Sequence, residues 1–260
     1  MSMTIKDTIK SCLRPAYRQL LAHKNRGKNV ACNICGMNFS RFRRAYGRHA
    51  DGSLFVSEDQ IGACWLCNSY PRTRLLYYWL INDYKILQAD KISILHVAPE
   101  VQISNEFRKF KNNIEYICID KHCEGYKYPS YVKNGDVRHL EFENCTFDMV
   151  ICNHVLEHIK DDIVAMSEIK RVLKKNGVAI LMIPIDTDLD KSIEEKMDEN
   201  LTPSEREERF GQYDHVRIYG KDYFDRLKEV GFSVERVSYS DELAAKYGFM
   251  SGEEVIICKK

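Results

Sequence analysis

The sequence lacks any long apolar stretch. None of its hydrophobic runs reaches the roughly 18 residues that a helix needs to cross a bilayer. The first thirteen residues carry Lys6, Asp7 and Lys10 and have no continuous apolar core, so we expect no secretory signal there. No internal repeat is visible either. Ten cysteines without such a signal favour a reducing compartment, and we expect a folded, cytoplasmic protein.

Positive charge is concentrated at the N-terminal end. The net charge is +1, but residues 1–50 contain eleven lysines or arginines and one acidic residue. A basic arm of this kind is typical of proteins that meet an anionic partner, such as nucleic acid or a lipid headgroup surface. A solvated basic face, or docking onto the acidic remainder of the chain, would produce the same balance.

An amphipathic helix is predicted in this basic arm. Ile5, Ile9, Leu13 and Tyr17 recur at helical spacing, with a lysine or arginine every four residues beside them. Pro15 lies inside the pattern, so the helix is expected to kink or restart there. Such a helix could make peripheral membrane contact, bind a partner or pack on its own domain.

Two Cys-x-x-Cys motifs are the strongest local signal. Cys32 and Cys35 form the first motif, Cys64 and Cys67 form the second, and 28 residues separate them. Two thiolates on one tight turn can face a single ion, and two such turns complete a tetrahedral shell for Zn²⁺. We predict a structural zinc site whose occupancy is coupled to the folding of its module. A redox dithiol and ordinary buried cysteines are the alternatives.

Short apolar runs alternate with helical patterns from Pro71 onward. Strands are predicted at 92–97, 114–119, 147–152, 178–183, 232–239 and 253–258, and helices at 71–84, 101–110 and 161–173. Strands that alternate with helices imply right-handed βαβ units and a mostly parallel sheet. Near-continuous apolar strands fit a sheet that is covered on both faces. We therefore predict an α/β fold.

Polar residues follow the predicted strands where such sheets bind ligands, beyond the carboxyl ends. The first of these strands leads into His96-Val-Ala-Pro-Glu100, and the second ends at Asp120. A carboxylate at Asp120 is placed to accept two ribose hydroxyls, although a surface aspartate after a strand is also common. Asp136 lies between the second and third of these strands, and Asn153 directly follows the strand at 147–152.

The order of these motifs over roughly residues 92–259 resembles the class I S-adenosylmethionine-dependent methyltransferases. More narrowly, the chain is similar to a bacterial group of methyltransferase domains preceded by CxxCG and CxxC, with LHxAPE, NHVLEH and DHVRxYG segments. These segments are Leu95–Glu100, Asn153–His158 and Asp214–Gly220 here. The resemblance implies a Rossmann-like, mostly parallel, seven-stranded sheet with helices on both faces, plus a small N-terminal four-cysteine zinc module.

The resemblance also implies roles in binding S-adenosylmethionine. The loop would pass under the methionine part of the cofactor, Asp120 would hold the ribose, and other matched positions would flank the adenine or separate cofactor from acceptor. The loop residues are His96, Val97, Ala98, Pro99 and Glu100; the adenine positions are Asp136 and Val137; and the separating positions are Asn153 and His154.

The loop departs from the acidic, glycine-rich D/E-x-G-x-G pattern of the class. His96, Ala98 and Glu100 stand at the corresponding places. Because S-adenosylmethionine has no phosphate that must approach the backbone, Ala98 is compatible with the cofactor. Glu100 could hydrogen-bond the cofactor's ammonium group or cap the next helix.

Three residues are candidates for the base that removes a proton from a hydroxyl or amine acceptor. In order of preference they are His215, in a polar segment after an acidic connection; His154, past the strand at 147–152; and Asp186, at the end of the strand that begins at 178. Each could also be an ordinary hydrogen-bonded residue. Arg217 and Tyr219 are predicted to contact the substrate, and Arg217 suits an anionic group.

The connection over 186–208 contains ten acidic residues. It is predicted either as a mobile lid over the acceptor pocket or as a solvated connection with a short helix that a capping box starts at Thr202. We divide the chain into a basic segment (1–30), a zinc-binding module (31–70) and a methyltransferase domain (71–260).

The leading functional hypothesis is a methyltransferase that acts on a small molecule or a glycan precursor, at oxygen or nitrogen. The first alternative is an RNA methyltransferase whose basic module binds phosphates through Arg41, Arg43, Arg44 and Arg48. The second is a non-catalytic binding module with a degenerate cofactor loop. The sequence leaves the acceptor and the oligomeric state open.

Overall fold

The computed structural model describes residues 5–44, 47–55 and 62–260. Its helices are α1 (Ile5–Lys24), α2 (Pro71–Asn82), α3 (Val101–Phe107), α4 (Asp162–Val172), α5 (Pro203–Phe210), α6 (Tyr223–Glu229) and α7 (Asp241–Tyr247). Its strands are β1 (Arg26–Ala31), β2 (Asn38–Phe39), β3 (Gly47–Arg48), β4 (Leu54–Phe55), β5 (Ile92–Val97), β6 (Ile114–Asp120), β7 (Val132–Asn134), β8 (Phe147–Cys152), β9 (Leu173–Ile180), β10 (Ile193–Glu194), β11 (Arg217–Ile218), β12 (Ser233–Val237) and β13 (Val255–Lys259). Short 3₁₀ turns cover Ile86–Gln88 and Leu156–His158.

A seven-stranded sheet forms the centre of the α/β part, in the order β12-β13-β9-β8-β5-β6-β7. The pairs within β9-β8-β5-β6-β7 are all parallel, whereas β13 runs antiparallel to both β9 and β12. The prediction of an α/β fold with a mostly parallel seven-stranded sheet is therefore confirmed. All six residues of the central strand β5 are buried, as expected for a strand covered on both faces.

Helices cover both faces of this sheet. Side chains of α4 and α6 pack on one face together with Leu95 and Val97, while α2 and α3 pack on the other together with Ile92 and Ile94. This alternation follows from the period of two along a strand. Each fully buried large apolar side chain contributes roughly 1.5–3 kcal/mol relative to exposure. The two cores fix the strand ends from which the candidate site is built.

Strand β9 differs from its prediction at both ends. It begins at Leu173 and not at the predicted residue 178, because Lys174–Gly177 continues the strand through an irregular register against β8. It ends at Ile180, although the apolar run continues to Ile183. The backbone groups of Met182 are taken elsewhere: its N–H donates to the side chain of Asn153, and its carbonyl accepts from the N–H of His154.

Helix α1 runs through Pro15 as one helix and does not restart there. The side chains of Leu13, Tyr17 and Leu20 on this helix are exposed, and Ala22 near its end is buried against the cysteine module. Residues 5–12 have no described side chains, so the apolar stripe at Ile5 and Ile9 lies outside the described residues. Contact of this helix with a membrane or a partner stays a prediction. In the described part of the chain, no helix combines the length and apolarity needed to span a bilayer.

A buried arginine joins the cysteine module to the α/β part. The guanidinium of Arg74, in α2, donates to the carbonyls of Ser69 (2.7 Å), Tyr247 (2.6 Å) and Gly248 (2.7 Å). It also lies 3.9 Å from the ring centre of Phe42. Arg74 is fully buried, so it holds the second cysteine turn, Phe42 and the end of α7 around one cation.

Candidate active site and cysteine centre

Four thiols converge in the N-terminal module. The Sγ atoms of Cys32 and Cys67 are 3.6 Å apart, as are those of Cys35 and Cys64, and all four lie within 4.8 Å of one another. Zinc held at about 2.3 Å by four tetrahedral thiolates requires sulfur–sulfur distances of about 3.8 Å. The donor set and its spacing therefore fit a closed zinc site.

The two cysteine turns share one backbone pattern. In the first, the N–H of Gly36 donates to the carbonyl of Cys32 (2.9 Å); in the second, Asn68 donates to Cys64 (3.1 Å). Gly36 has φ +72° and Asn68 has φ +62°, so each turn ends in a left-handed position, taken by glycine in the first turn and by asparagine in the second. The carbonyl of Cys67 accepts a hydrogen bond from the side chain of Gln102 in α3 (3.0 Å).

The loop after β5 is built around a buried histidine. His96 is fully buried; its Nδ1 lies 2.7 Å from the Tyr116 hydroxyl and its Nε2 lies 2.7 Å from Glu100 Oε2. Burial raises the pKa of Glu100, but the hydrogen bond and charge interaction with His96, together with smaller contributions that include Arg72, outweigh burial, so the pKa is lowered. Glu100 occupies the N-cap position of α3, as the capping alternative expects, but its side chain makes no capping hydrogen bond. Ala98 adopts φ +47°, a conformation that glycine normally takes.

The next two carboxylates lie at the ends of β6 and β7. Asp120 ends β6 beside Asn134, and burial raises the pKa of its half-buried carboxyl group. Asp136 is paired with Arg138 at 2.7 Å and Lys121 at 3.2 Å, and the bond from Arg138 lowers its pKa strongly. Val137 is buried in the core. Because β5, β6, β7 and β8 are parallel neighbours, these predicted cofactor residues share one edge of the sheet with Ala98.

Asn153 and His154 stand where β8 ends. Asn153 is buried, accepts from Met182 N–H, and has no protein partner for its Nδ2 group. His154 adopts φ +52°, which is uncommon for a residue with a side chain. Its Nδ1 lies 3.3 Å from Glu157 Oε1, and its Nε2 is buried without a protein partner.

A cavity of about 850 Å³ opens beyond the ends of β8 and β9. His154 and His215 line it, and Met182–Ile185 and Phe224 supply apolar surface. His158 and charged groups of both signs complete the lining; the charged residues are Arg72, Glu157, Lys221, Arg236, Glu253 and Glu254. The cavity can therefore hold a molecule of mixed polarity.

His215 is held close to His158 in this cavity. The two rings meet edge to face, with centres 4.8 Å apart. The N–H of Val216 donates to the carbonyl of Glu157 (2.9 Å), which ties the segment of His215 to the turn after β8. Burial lowers the pKa of His215, so its imidazole is neutral near pH 7 and has a nitrogen lone pair available.

Arg217 and Tyr219, the predicted substrate contacts, lie inside the protein and do not line the cavity. Arg217 is 1% exposed and forms an ion pair with Asp162, while its Nη2 donates to the carbonyls of Ile159 (2.9 Å) and Lys160 (2.7 Å). The hydroxyl of Tyr219 donates to Asp162 (2.8 Å). These contacts fasten β11 to the turn after β8, because a buried guanidinium needs carboxylate and carbonyl partners.

Asp186 is exposed, and its carboxylate accepts from the N–H of Asp188 (2.9 Å). It stands beside the cavity without lining it. The acidic connection that follows contains the predicted capping box, in which Thr202 and Glu205 bond reciprocally at the start of α5. Glu195 in this connection is buried between Lys160 (2.9 Å) and Arg206 (2.8 Å), and whether the connection moves as a lid stays a prediction.

The arginines of the cysteine module differ in exposure and in hydrogen bonding. Arg41 and Arg44 are exposed, whereas Arg43 bonds the side chain of Asn68 within the module. Tyr46 and the side chain of Arg48 lie outside the described residues. Of the four arginines proposed to bind phosphates, Arg41 and Arg44 are therefore the two that the structure describes as exposed.

Two acids that line the cavity, the buried Glu157 and the partly buried Glu253, were missed by the sequence analysis. Glu157 lies within the quoted NHVLEH segment, which was the one signal that pointed to it. Glu253 precedes the last strand, lines the cavity, and has its pKa raised by burial. Nothing in the local sequence around Glu253 distinguishes it from a surface acid.

Comparison with known proteins locates a family domain within the chain. Residues 105–181 match the family model described as a methyltransferase domain. Uncharacterized protein MJ0638 of Methanocaldococcus jannaschii is 26% identical over an alignment covering 35% of this chain and 52% of that protein. The chain thus spans about half the length of the curated relative that it matches.

Solved structures with a similar fold include two methyltransferases. A SAM-dependent methyltransferase from Archaeoglobus fulgidus is 14% identical, with a TM-score of 0.44 and coverage of 71% of this chain and 93% of that one. An S-adenosylmethionine-dependent methyltransferase from Mesorhizobium loti is 8% identical, with a TM-score of 0.45 and coverage of 68% and 95%. These distant likenesses carry no information about function. The family match shows that residues 105–181 are similar to a methyltransferase domain.

Proposed function

We propose that this protein methylates a small molecule or a glycan precursor at oxygen or nitrogen, using S-adenosylmethionine. One observation carries the proposal: the loop at 96–100 leaves β5 beside the end of β8, and His154, two residues past that end, lines the 850 Å³ cavity. Val97 and Cys152 are register partners on parallel strands, so the chain leaves β5 and β8 at adjacent points of one sheet edge. A cofactor on the β5 side and an acceptor on the β9 side would therefore face each other across His154.

The cofactor would be held by the residues after β5 and β6. S-adenosylmethionine supplies an electrophilic methyl group on a sulfonium. The Glu100 carboxylate, kept ionised by His96, suits an ammonium group. Asp120 suits a ribose diol, since an ionised carboxylate accepts two hydrogen bonds. Asp136 and Val137 remain candidates for the adenine end.

His154 is the proton acceptor that this geometry favours over His215 and Asp186. A carboxylate at Nδ1 fixes the tautomer of the ring and leaves Nε2 as an acceptor, which is the arrangement of a general base. Glu157 stands in that position at 3.3 Å. Met182 and Ile183 exclude water from one side of the cavity, which favours a defined approach of the acceptor.

A structural Zn²⁺ in the cysteine centre belongs to the proposal. Thiolates from Cys32, Cys35, Cys64 and Cys67 would hold it, and the closed donor set leaves no position for substrate. Its contribution would be to fold the module that Arg74 and Gln102 join to α2 and α3.

Calorimetric titration with S-adenosylmethionine tests the cofactor site. The intact protein is expected to bind in the micromolar range, and Asp120→Ala is expected to weaken binding at least tenfold, because charge-assisted hydrogen bonds contribute about 1.5–3 kcal/mol. Asp198→Ala, which removes an exposed carboxylate from the acidic connection, is the matched control and should bind like the parent protein. Absence of binding by the intact protein, or equal binding by Asp120→Ala, would contradict the proposal.

A further inference from the structure

Glu157, His158 and His215 bring three metal-binding groups together on one wall of the cavity. One ligand atom of each lies within 4.8 Å of the others. They come from two separate segments, the 3₁₀ turn after β8 and the residues before β11. This cluster is separate from the cysteine centre.

Glu157 carries an unsatisfied oxygen. The residue is 2% exposed, its Oε1 faces His154, and its Oε2 is buried without a hydrogen-bond partner. A buried carboxylate oxygen is normally paired, because desolvation without a partner is costly. The missing partner of Oε2 indicates a cation that is part of the working protein.

The orientation of His158 also fits a metal ligand. Its Nδ1 lies 3.0 Å from the carbonyl oxygen of Asp214, which can only accept, so Nδ1 carries the proton. The Nε2 lone pair of His158 is therefore available. Histidines that bind metals typically donate their other ring N–H to a carbonyl or carboxylate in this way. His215, edge to face with His158, brings the third donor.

The scaffold around the cluster fixes the relation of its two segments. Val216 N–H bonds the carbonyl of Glu157, and Arg217 holds the carbonyls of Ile159 and Lys160. Nitrogen and oxygen ligands lie about 2.0–2.2 Å from an ion, which spans up to about 4.4 Å between two ligand atoms. Small side-chain rotations therefore suffice to close the site, with no change in the backbone.

We infer that Glu157, His158 and His215 bind a divalent transition-metal ion at the cavity wall. Two imidazoles and one carboxylate on one face are the donor set of sites for ions such as Fe²⁺, Mn²⁺, Co²⁺ and Zn²⁺. Three protein ligands leave coordination positions open, and these positions face the cavity. The open coordination positions of the ion would bind the hydroxyl oxygens of the methyl acceptor, for example those of a molecule with vicinal hydroxyls.

The role of the ion rests on the proposed function, whereas its binding does not. A hydroxyl oxygen on the ion becomes more acidic, and His154 is placed to take its proton. In the transfer the O–H bond breaks with its proton going to His154, the O–CH₃ bond forms, and the S–CH₃ bond breaks with its electron pair returning to sulfur. No redox partner is required.

Metal content after equilibrium dialysis tests the inference without any activity assay. Chelator-treated protein is dialysed against Zn²⁺ and, separately, Mn²⁺, then passed through a desalting column and analysed by inductively coupled plasma mass spectrometry. With at least one of the two metal ions, His158→Ala and His215→Ala are each expected to retain about one metal ion per chain less than the parent protein. His23→Ala, an exposed histidine on α1, is the control and should keep the parent's content.

Because His158 is partly exposed, its removal is the variant that least disturbs folding, and a thermal melt of each variant verifies this. Equal metal content in the parent and a folded His158→Ala protein, with both ions, would overturn the inference. Calorimetry with S-adenosylmethionine on the same variants separates the two proposals. If the parent protein binds S-adenosylmethionine but the variants lose no metal, only the metal site is refuted. If the variants lose metal but the parent protein does not bind S-adenosylmethionine, only the methyltransferase assignment is refuted.

Discussion

Replacement of Arg74 by methionine is expected to separate the cysteine module from the α/β part. Methionine retains much of the aliphatic volume but removes the guanidinium that bonds Ser69, Tyr247 and Gly248. Each carbonyl that is left buried without a donor costs about 1–3 kcal/mol. Loss of the contact with Phe42 adds about 0.5–2 kcal/mol.

Two effects reduce this sum. Burial lowers the pKa of Arg74, which shows that the folded protein bears a desolvation cost that the variant escapes. Water or local relaxation will also satisfy some of the carbonyls. We therefore expect Arg74→Met to lower the free energy of unfolding by about 3–5 kcal/mol, the lower part of the sum of these contributions. For a domain of this size each kcal/mol shifts the melting temperature by about 2–4 °C.

Urea denaturation followed by circular dichroism measures the effect. The control is Arg108→Met, because Arg108 also lies over an aromatic ring (Tyr131, 4.1 Å) but is exposed. That variant should lose less than about 1 kcal/mol. Equal losses in the two variants would refute the view that the Arg74 hydrogen bonds hold the module in place.

The remaining predictions concern a glycine, a buried acid and the cysteine centre. Gly248→Ala is expected to cost about 3 kcal/mol in thermal unfolding, since φ is +63° and the new Cβ would lie 2.5 Å from Phe42 Cε2; Gly211→Ala, at φ +79° with open space around it, should cost about 1 kcal/mol, and equal losses would exclude the steric contribution. Burial raises the pKa of Glu195, but the bonds from its cationic partners lower it from 4.5 to about 2. A lowered folded-state pKa means that this stabilisation is present above about pH 4.5 and is lost as the pH falls towards 2, a difference of about 3 kcal/mol. Melting curves should show that Glu195→Gln flattens this part of the stability profile, and an unchanged profile would contradict the assignment. Chelation of the purified protein should remove about one zinc per chain from the cysteine centre, and Cys35→Ser should prevent its binding. Either change should lower the melting temperature by at least 10 °C, since zinc binding is coupled to folding. A metal-free protein with an unchanged melting temperature would exclude a structural role.

The strands and helices of the α/β part were largely predictable because their signal is local. Apolar runs at 92–97 and 147–152 coincide with β5 and β8 to the residue. The end of β9 was not predictable, because Asn153 and His154 bond the backbone N–H and carbonyl of Met182. Asn153 and Met182 are 29 positions apart in the sequence, so no local pattern reveals the contact. Apolar character alone does not indicate which backbone groups remain free to pair.

The candidate site was predictable only in part. Spacing alone brought the four cysteines together, because the turn geometry is encoded within each motif. The sequence could not reveal that Arg217 points inward to Asp162, since its side-chain direction depends on how β11 meets the turn after β8. Ala98 and His154 take left-handed conformations without glycine, so the usual sequence signal for a sharp strand end was missing at both.

The hydrogen bond from Gln102 to the carbonyl of Cys67 connects the cysteine centre with the helix that follows the proposed cofactor loop. Gln102 lies two residues after Glu100, at the start of the helix that follows the cofactor loop. If zinc orders the Cys67 turn and thereby strengthens cofactor binding by some factor, thermodynamic reciprocity requires the cofactor to strengthen zinc binding by the same factor. The metal-free protein would then release S-adenosylmethionine more readily, so that zinc supply would act as an allosteric effector of methyl transfer.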